Sequence, residues 1–351
     1  MRKVIQIFFI CFAGFALALA ASAQTPPDQN PLLWDNGRWG IQKAPQKTSD
    51  DSWTQHFRVG AVVGLNISAN FSSKITRPNN AANGIYDDGY VRVDDTGNAG
   101  GYTSFWGFHN QSQYNPVSQT LTMHSITSYS GSSSGSGVFP GLDLAYGGEL
   151  WDWGHTRIGW DLGFGLLPIT ITESGMSASV SQSTYTFNTG GITWPGAPGP
   201  YQGPFNSAGN PTISTNHTVV NSTDTESVTG SHSLDVMLYT LRLGQSLYWD
   251  LNEKWGLSAG VGPAVGIVSG SLKFDETIGT IRNSGQIDAT DLVYGGYVNA
   301  TLLYHVDPGG DLFLGVQYMS LGDATISGGG REGRLNLGGQ VYVTAGINWT
   351  F

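Results

Sequence analysis

The chain has 351 residues, of which 50 are glycine, 12% are aromatic and 12% are charged, with a formal net charge of −10. An ordinary soluble domain carries roughly 7% Gly and about 25% charge. Many aromatics with little charge exclude a disordered chain, glycines without a three-residue period exclude collagen, and no apolar run past residue 23 approaches the ~20 residues of a spanning helix.

Residues 1–23 read as an export signal. Arg2 and Lys3 form a positive start, Val4 to Ala20 is apolar, and Ala21-Ser22-Ala23 is a small-residue cleavage site. Cys11 is the single cysteine and lies inside this segment, so the mature chain holds no disulfide, thiolate metal site or cysteine nucleophile. Loss of Arg2 and Lys3 leaves 14 basic and 26 acidic residues, a mature charge of −12, which disfavours nucleic acid as a partner. Residues 24–55 form a periplasmic lead-in rich in Pro, Gln and Asn, with Trp34 and Trp39 as its candidate ordered points.

Eight segments with two-residue alternation follow, the signature of half-buried strands. In the first, Phe57, Val59, Ala61, Val63, Leu65, Ile67, Ala69 and Phe71 share a face. The next six are 139–151, 156–172, 233–249, 255–274, 292–306 and 311–325. Leu335 to Phe351 is the last, its odd positions apolar or Gly throughout. In the fifth segment, Trp255, Leu257, Ala259, Val261, Val265 and Ile267 oppose Gly256, Ser258, Gly260, Gly262, Ala264 and Gly266. That second face is too small for a sandwich core and suits the crowded inside of a narrow barrel.

Connections alternate between short (near 151–156, 250–254 and 307–310) and long (74–138, 173–232, 275–291 and 326–334). Short turns at one end and long loops at the other is the layout of an outer-membrane barrel. Trp151, Trp153, Tyr248, Trp249, Trp255, Tyr304, Phe313, Trp349 and Phe351 gather at the short-turn end, which reads as a periplasmic aromatic girdle. A hairpin from 102–110 to 119–129 would raise the strand count from eight to ten.

With these features the chain resembles the small outer-membrane β-barrel proteins of Gram-negative bacteria, the OmpA/OmpX/OmpW-like kind. The resemblance covers the signal peptide and residues 56–351. It implies an all-β, up-and-down antiparallel transmembrane barrel in the outer membrane, in contact with its lipid. The chain ends at its last strand, so no peptidoglycan-binding domain of the OmpA type is expected. The terminal strand resembles the signal read by the barrel-assembly machinery, and by that resemblance Phe351, Trp349, Ile347 and Val343 carry it.

The face opposite the apolar one carries Arg58, Asp143, Glu149, Arg157, Asp161 and Arg242. Inside a narrow barrel such charges must pair, because an isolated buried charge is very costly. A buried network of three arginines and three carboxylates is expected, acting as a plug or as a gate. Asp87, Asp88, Asp94 and Asp95, in the first long loop, are weak calcium candidates against the simpler reading of Asx and Gly turns. No metal or other cofactor is expected. Gly131 to Gly135 matches a nucleophile-elbow pattern but sits in a Ser/Gly tract without strand–turn–helix context. His124 with Ser125, and His232 with Ser233 and Asp235, are chance adjacencies rather than catalytic sets. The expectation is a non-enzymatic surface barrel with a structural or adhesion-like role through its large loops, meeting an extracellular ligand or surface partner. A narrow channel for small solutes is the alternative, and a surface hydrolase ranks third.

Overall fold

The computed structural model describes residues 32–35, 38–41, 55–152, 156–192, 200–306 and 310–350. The expected export signal, most of the expected lead-in, Trp153 and Phe351 lie outside them. Leu32–Asp35 and Arg38–Ile41 pair as a small hairpin. Eight longer strands follow: β1 (Gln55–Thr76), β2 (Thr120–Asp152), β3 (Thr156–Asn188), β4 (His217–Asn252), β5 (Trp255–Ile278), β6 (Ile281–Val306), β7 (Gly310–Leu321) and β8 (Gln340–Thr350). Each pairs antiparallel with the next, and β8 and β2 both pair with β1, which closes the ring. The barrel is eight-stranded, and 119–129 is the upper part of β2 rather than an extra hairpin.

The wall changes polarity along its height. On β3, Ile158, Trp160, Leu162, Phe164 and Leu166 face outward, while Arg157, Gly159, Asp161, Gly163 and Gly165 face inward. Above Leu166 the outward residues are Thr170, Thr172 and Ser174, and Leu167, Ile169 and Ile171 are buried inside. Apolar residues face whichever side excludes water. Below this level that side is lipid, and above it the interior. On β5, Trp255 to Ile267 marks the lipid-facing part, and Ser269, Lys273 and Asp275 continue outward into water. At about 3.3 Å per residue and a tilt near 40° that part spans ~30 Å, which fits the apolar band of an outer-membrane barrel. Trp151, Trp255 and Trp349 are exposed at the lower rim, and Tyr294 and Tyr318 are exposed higher on the wall. The chain is a closed β-barrel whose apolar outer band has the height of a membrane.

Three of the expected segments need a break in phase to make this switch. The alternation in β1 predicts Ile67, Ala69 and Phe71 on the lipid face, yet all three are fully buried inside. Asn66, at φ 59°, inserts one residue between Leu65 and Ile67, and the pairing with β2 shifts there. A one-residue slip moves every later side chain to the other face. The last predicted segment breaks at the same height. Gly338 and Gly339 form a turn before β8, so Leu335 and Leu337 point inward while Val341 and Val343 point out. Asn66 Nδ2 donates to the Gly339 carbonyl at 2.6 Å and ties the two breaks together. The sixth interior segment likewise ends at Leu321 and resumes in a hairpin, Ala324–Gly328 with Arg331–Asn336.

The segments expected as long loops are mostly strand. Residues 120–138, 173–188 and 217–232 extend β2, β3 and β4 above the membrane, and 275–291 is a hairpin turning at Gly279 and Thr280. Tracts such as Ser130–Gly137 lack large apolar residues on either face, so alternation does not reveal them. Tyr248 and Phe313 also leave the predicted girdle: their parity turns them into the lumen, where both are buried.

Candidate functional site

The lower lumen gathers five of the six predicted charges. Arg58 Nη2 donates to Asp161 Oδ2 at 2.9 Å, and His56 Nε2 meets Asp161 Oδ1 at 2.8 Å. The Tyr248 hydroxyl donates to the same carboxylate at 3.1 Å. Arg242 pairs with Asp143 and Gln317 and lies over the Tyr297 ring at 5.7 Å. Arg157 pairs at 2.7 Å with Asp250, a carboxylate outside the predicted set. Glu149 sits half-buried beside a bulge at Leu150, where β2 shifts register against β3. Gly163 makes the room: a Cβ there would meet the Arg242 guanidinium at 2.7 Å.

Two cavities, each about 20 Å³, lie within this layer, room for about one water apiece. Above them the upper barrel is filled by Phe71, Ile169, Leu234, Leu238, Leu272 and Leu337, all buried. The described lumen is therefore closed twice, by ion pairs and then by apolar packing. His56, Tyr248 and Gln317 share parity with the predicted charges, and that parity was the signal available for them.

A second polar cluster sits higher, beyond Ile267 and so outside the membrane band. Glu276 is buried and accepts from His232 Nε2 at 2.8 Å, the Tyr129 hydroxyl at 2.7 Å, Arg331 Nε and Nη2 at 3.0 and 2.6 Å, and the Ser73 hydroxyl. Arg331 also covers the Phe274 ring at 4.0 Å. Burial pushes the Glu276 carboxyl up, but the donors, led by His232 and Arg331, outweigh it and hold the group at about 2. Burial and the Glu276 contact push the Tyr129 hydroxyl up to about 12. Sequence reasoning missed this cluster because Glu276 and Arg331 fall in segments expected as loops.

The four loop aspartates are spread over separate structural tasks. Asp87 pairs with Arg77 at 2.9 Å and accepts from the Ile126 amide. Asp88 accepts from the His124 amide and from His124 Nδ1 at 2.6 Å. Asp94 closes a turn, accepting from Thr96, Ser104 and Asn98. The Thr96 hydroxyl, with those backbone amides, holds its carboxyl well below the usual carboxylate range. Asp95 accepts from Ser207. The Asx-turn reading describes Asp94, and Asp87 and Asp88 serve the edge of β2. Gly131 to Gly135 lies within β2, His232 is bound to Glu276, and His124 to Asp88. The segment between β1 and β2 and residues 200–214 fold over the top, where Trp106, Phe108 and Ile213 bury against Leu121, Met123 and Phe187. Val343, Ile347 and Trp349 face outward on β8.

No family model and no curated protein matches the sequence. Among solved structures, the chain is similar to the outer membrane protein OprG from Pseudomonas aeruginosa, at 10% identity over 86% of this chain and 96% of that one, with a TM-score of 0.33. It is also similar to the outer membrane protease OmpT from Escherichia coli (9%, 87% and 99%, TM-score 0.29). A third is Ail, the attachment invasion locus protein of Yersinia pestis, in complex with the heparin analogue sucrose octasulfate (10%, 83% and 99%, TM-score 0.23). At this level of likeness nothing about substrate or partner transfers to the chain.

Proposed function

We propose that this protein is a closed, non-catalytic barrel that lifts a rigid β-structured surface clear of the outer membrane to meet an extracellular partner. The carrying observation is strand length combined with a filled interior. The 33 residues of β3, at about 3.3 Å each and a tilt near 40°, climb ~80 Å, so roughly 50 Å stands above the ~30 Å lipid-facing band. The apolar core keeps that extension stiff, and the loop layer seals its tip. Loops held on a rigid scaffold are where binding residues concentrate. Val343, Ile347 and Trp349, with Phe351, serve as the assembly signal on this reading.

The channel alternative requires the Arg58–Asp161 and Arg242–Asp143 pairs to swap, and also requires the apolar layer above them to open. A rearranged salt bridge alone leaves that layer in place. Planar-bilayer recording decides between the two. The expected result is no conductance steps, with Arg242→Ala equally silent. Regular steps in the wild-type protein would refute the closed barrel. Binding of the nanodisc-embedded protein to a panel of glycans and matrix proteins tests the surface role.

A further inference from the structure

The top of the barrel ends in a three-stranded sheet whose two edges are treated differently. β1 stops at Thr76, opposite Ser128, and leaves the upper part of β2 as one edge. That edge is covered. The Arg77 amide donates to the Thr127 carbonyl and the Asp87 amide to the His124 carbonyl. Asp87 and Asp88 accept the Ile126 and His124 amides, and Gln113 donates to the Thr122 carbonyl at 3.1 Å. On the opposite side, β5 pairs with β4 only from Thr229 downward and turns away after Ile278. Thr218 to Val228 therefore pair with β3 on one side only. Among the described residues no strand or backbone group bonds their other side. Residues 217–221 and 223–225 are exposed. The segment contains no Pro, Lys or Arg, the residues that commonly blunt an edge.

We infer that Thr218–Val228 of β4 is a docking edge for an extended, basic segment of another polypeptide, added as one more antiparallel strand. This rests on the surface-interaction reading and names its partner chemistry. The incoming strand would continue the line of β5 above the Gly279–Thr280 turn. Unpaired N–H and C=O groups along the edge supply main-chain bonds. Asp224, exposed in a segment without a cation, favours Lys or Arg on the partner. A second copy in the same membrane fits poorly. Its two-fold axis lies along the membrane normal, so the two edges would run parallel, and their carboxylates would repel.

The test is hydrogen–deuterium exchange on the full-length protein in nanodiscs. The probes are a peptide of about ten residues alternating Lys with Val or Thr, its Glu counterpart, and the Lys peptide N-methylated at alternate amides. The expected result is slowing of about half the amides of 218–228 by at least ~10-fold with the Lys peptide alone. Asp224→Lys should weaken that peptide about tenfold and admit the Glu peptide. Slow exchange, in the free protein, of the amides of 218–228 that do not pair with β3 would show the edge already covered and overturn the inference. So would equal binding of the N-methylated peptide, or no protection by any of the three. Glycan or matrix binding that persists without edge protection would sink the docking edge and leave the surface role standing. Channel conductance would do the reverse.

Discussion

Asp161 shows how one lumen residue holds several others. It accepts from Arg58, His56 and Tyr248, and all four residues are buried. Asp161→Asn leaves the Arg58 charge without its partner, and breaking a buried pair costs about 3–5 kcal/mol. The expected outcome is a lower urea midpoint for the compact form on unboiled gels, with recovery when Arg58 and Asp161 are both replaced by well-packed apolar residues. Glu276 adds a pH dependence. Its carboxyl is held at about 2 against an ordinary 4.5, so its contribution is fully present above pH 4.5 and is lost as pH falls toward 2. Acid titration of the extracellular part should show this loss in the wild type, and Glu276→Gln should flatten it and lower stability by about 3 kcal/mol at neutral pH. Parity along the strands was enough to find Arg58, Asp143, Asp161 and Arg242. Arg242 meets Gln317 across the lumen on β7, and Arg157 meets Asp250 on the neighbouring β4 rather than a predicted carboxylate; sequence spacing does not encode which strands lie across the lumen.

Among the elements, β1 depends most on a single residue. Asn66 occupies the left-handed region at φ 59°, which Asn tolerates and a β-branched residue does not. Asn66→Gly should fold normally, and Asn66→Val should lose about 1–3 kcal/mol. Deleting Asn66 should block assembly, because Ile67, Ala69 and Phe71 would then face water and leave the core. Heat-modifiable gel mobility distinguishes the three outcomes. The bulge was invisible in the sequence because the apolar alternation runs straight through it. The breaks at Gly322–Asp323 and Gly338–Gly339 carry ordinary turn residues, yet the alternation around them likewise continues. Trp349→Ser in β8, together with Phe351→Ser, should leave refolding in detergent intact and slow insertion in cells, which separates an assembly signal from a packing role.

For the whole molecule, the barrel has two solvents. Its lower part is an inside-out object with charge in the lumen and Leu, Val and Trp against lipid. Its upper part is an ordinary water-soluble barrel with Leu and Ile inside and Ser and Thr outside. Atomic force imaging of the protein in a bilayer should find features rising about 50 Å on one face. A smooth surface within ~15 Å of the lipid would show that the extensions are disordered loops. Stiffness of the extension also predicts slow amide exchange in β2, β3 and β4 above the membrane, except along the free edge of β4.

The sequence by itself determined the class of object: two-residue alternation and asymmetric connections define a membrane β-barrel of eight or ten strands, and closure of the ring settles eight. Those properties are local, written as hydrophobic period and turn spacing, and need no knowledge of what lies opposite. Tertiary structure decided where the membrane ends, which way each apolar residue points above it, and which charges meet. It also showed that the Ser- and Thr-rich segments are strands. Alternation records that two faces differ, but not which face is wet. Only closure of the ring, with lipid outside below and water outside above, assigns them.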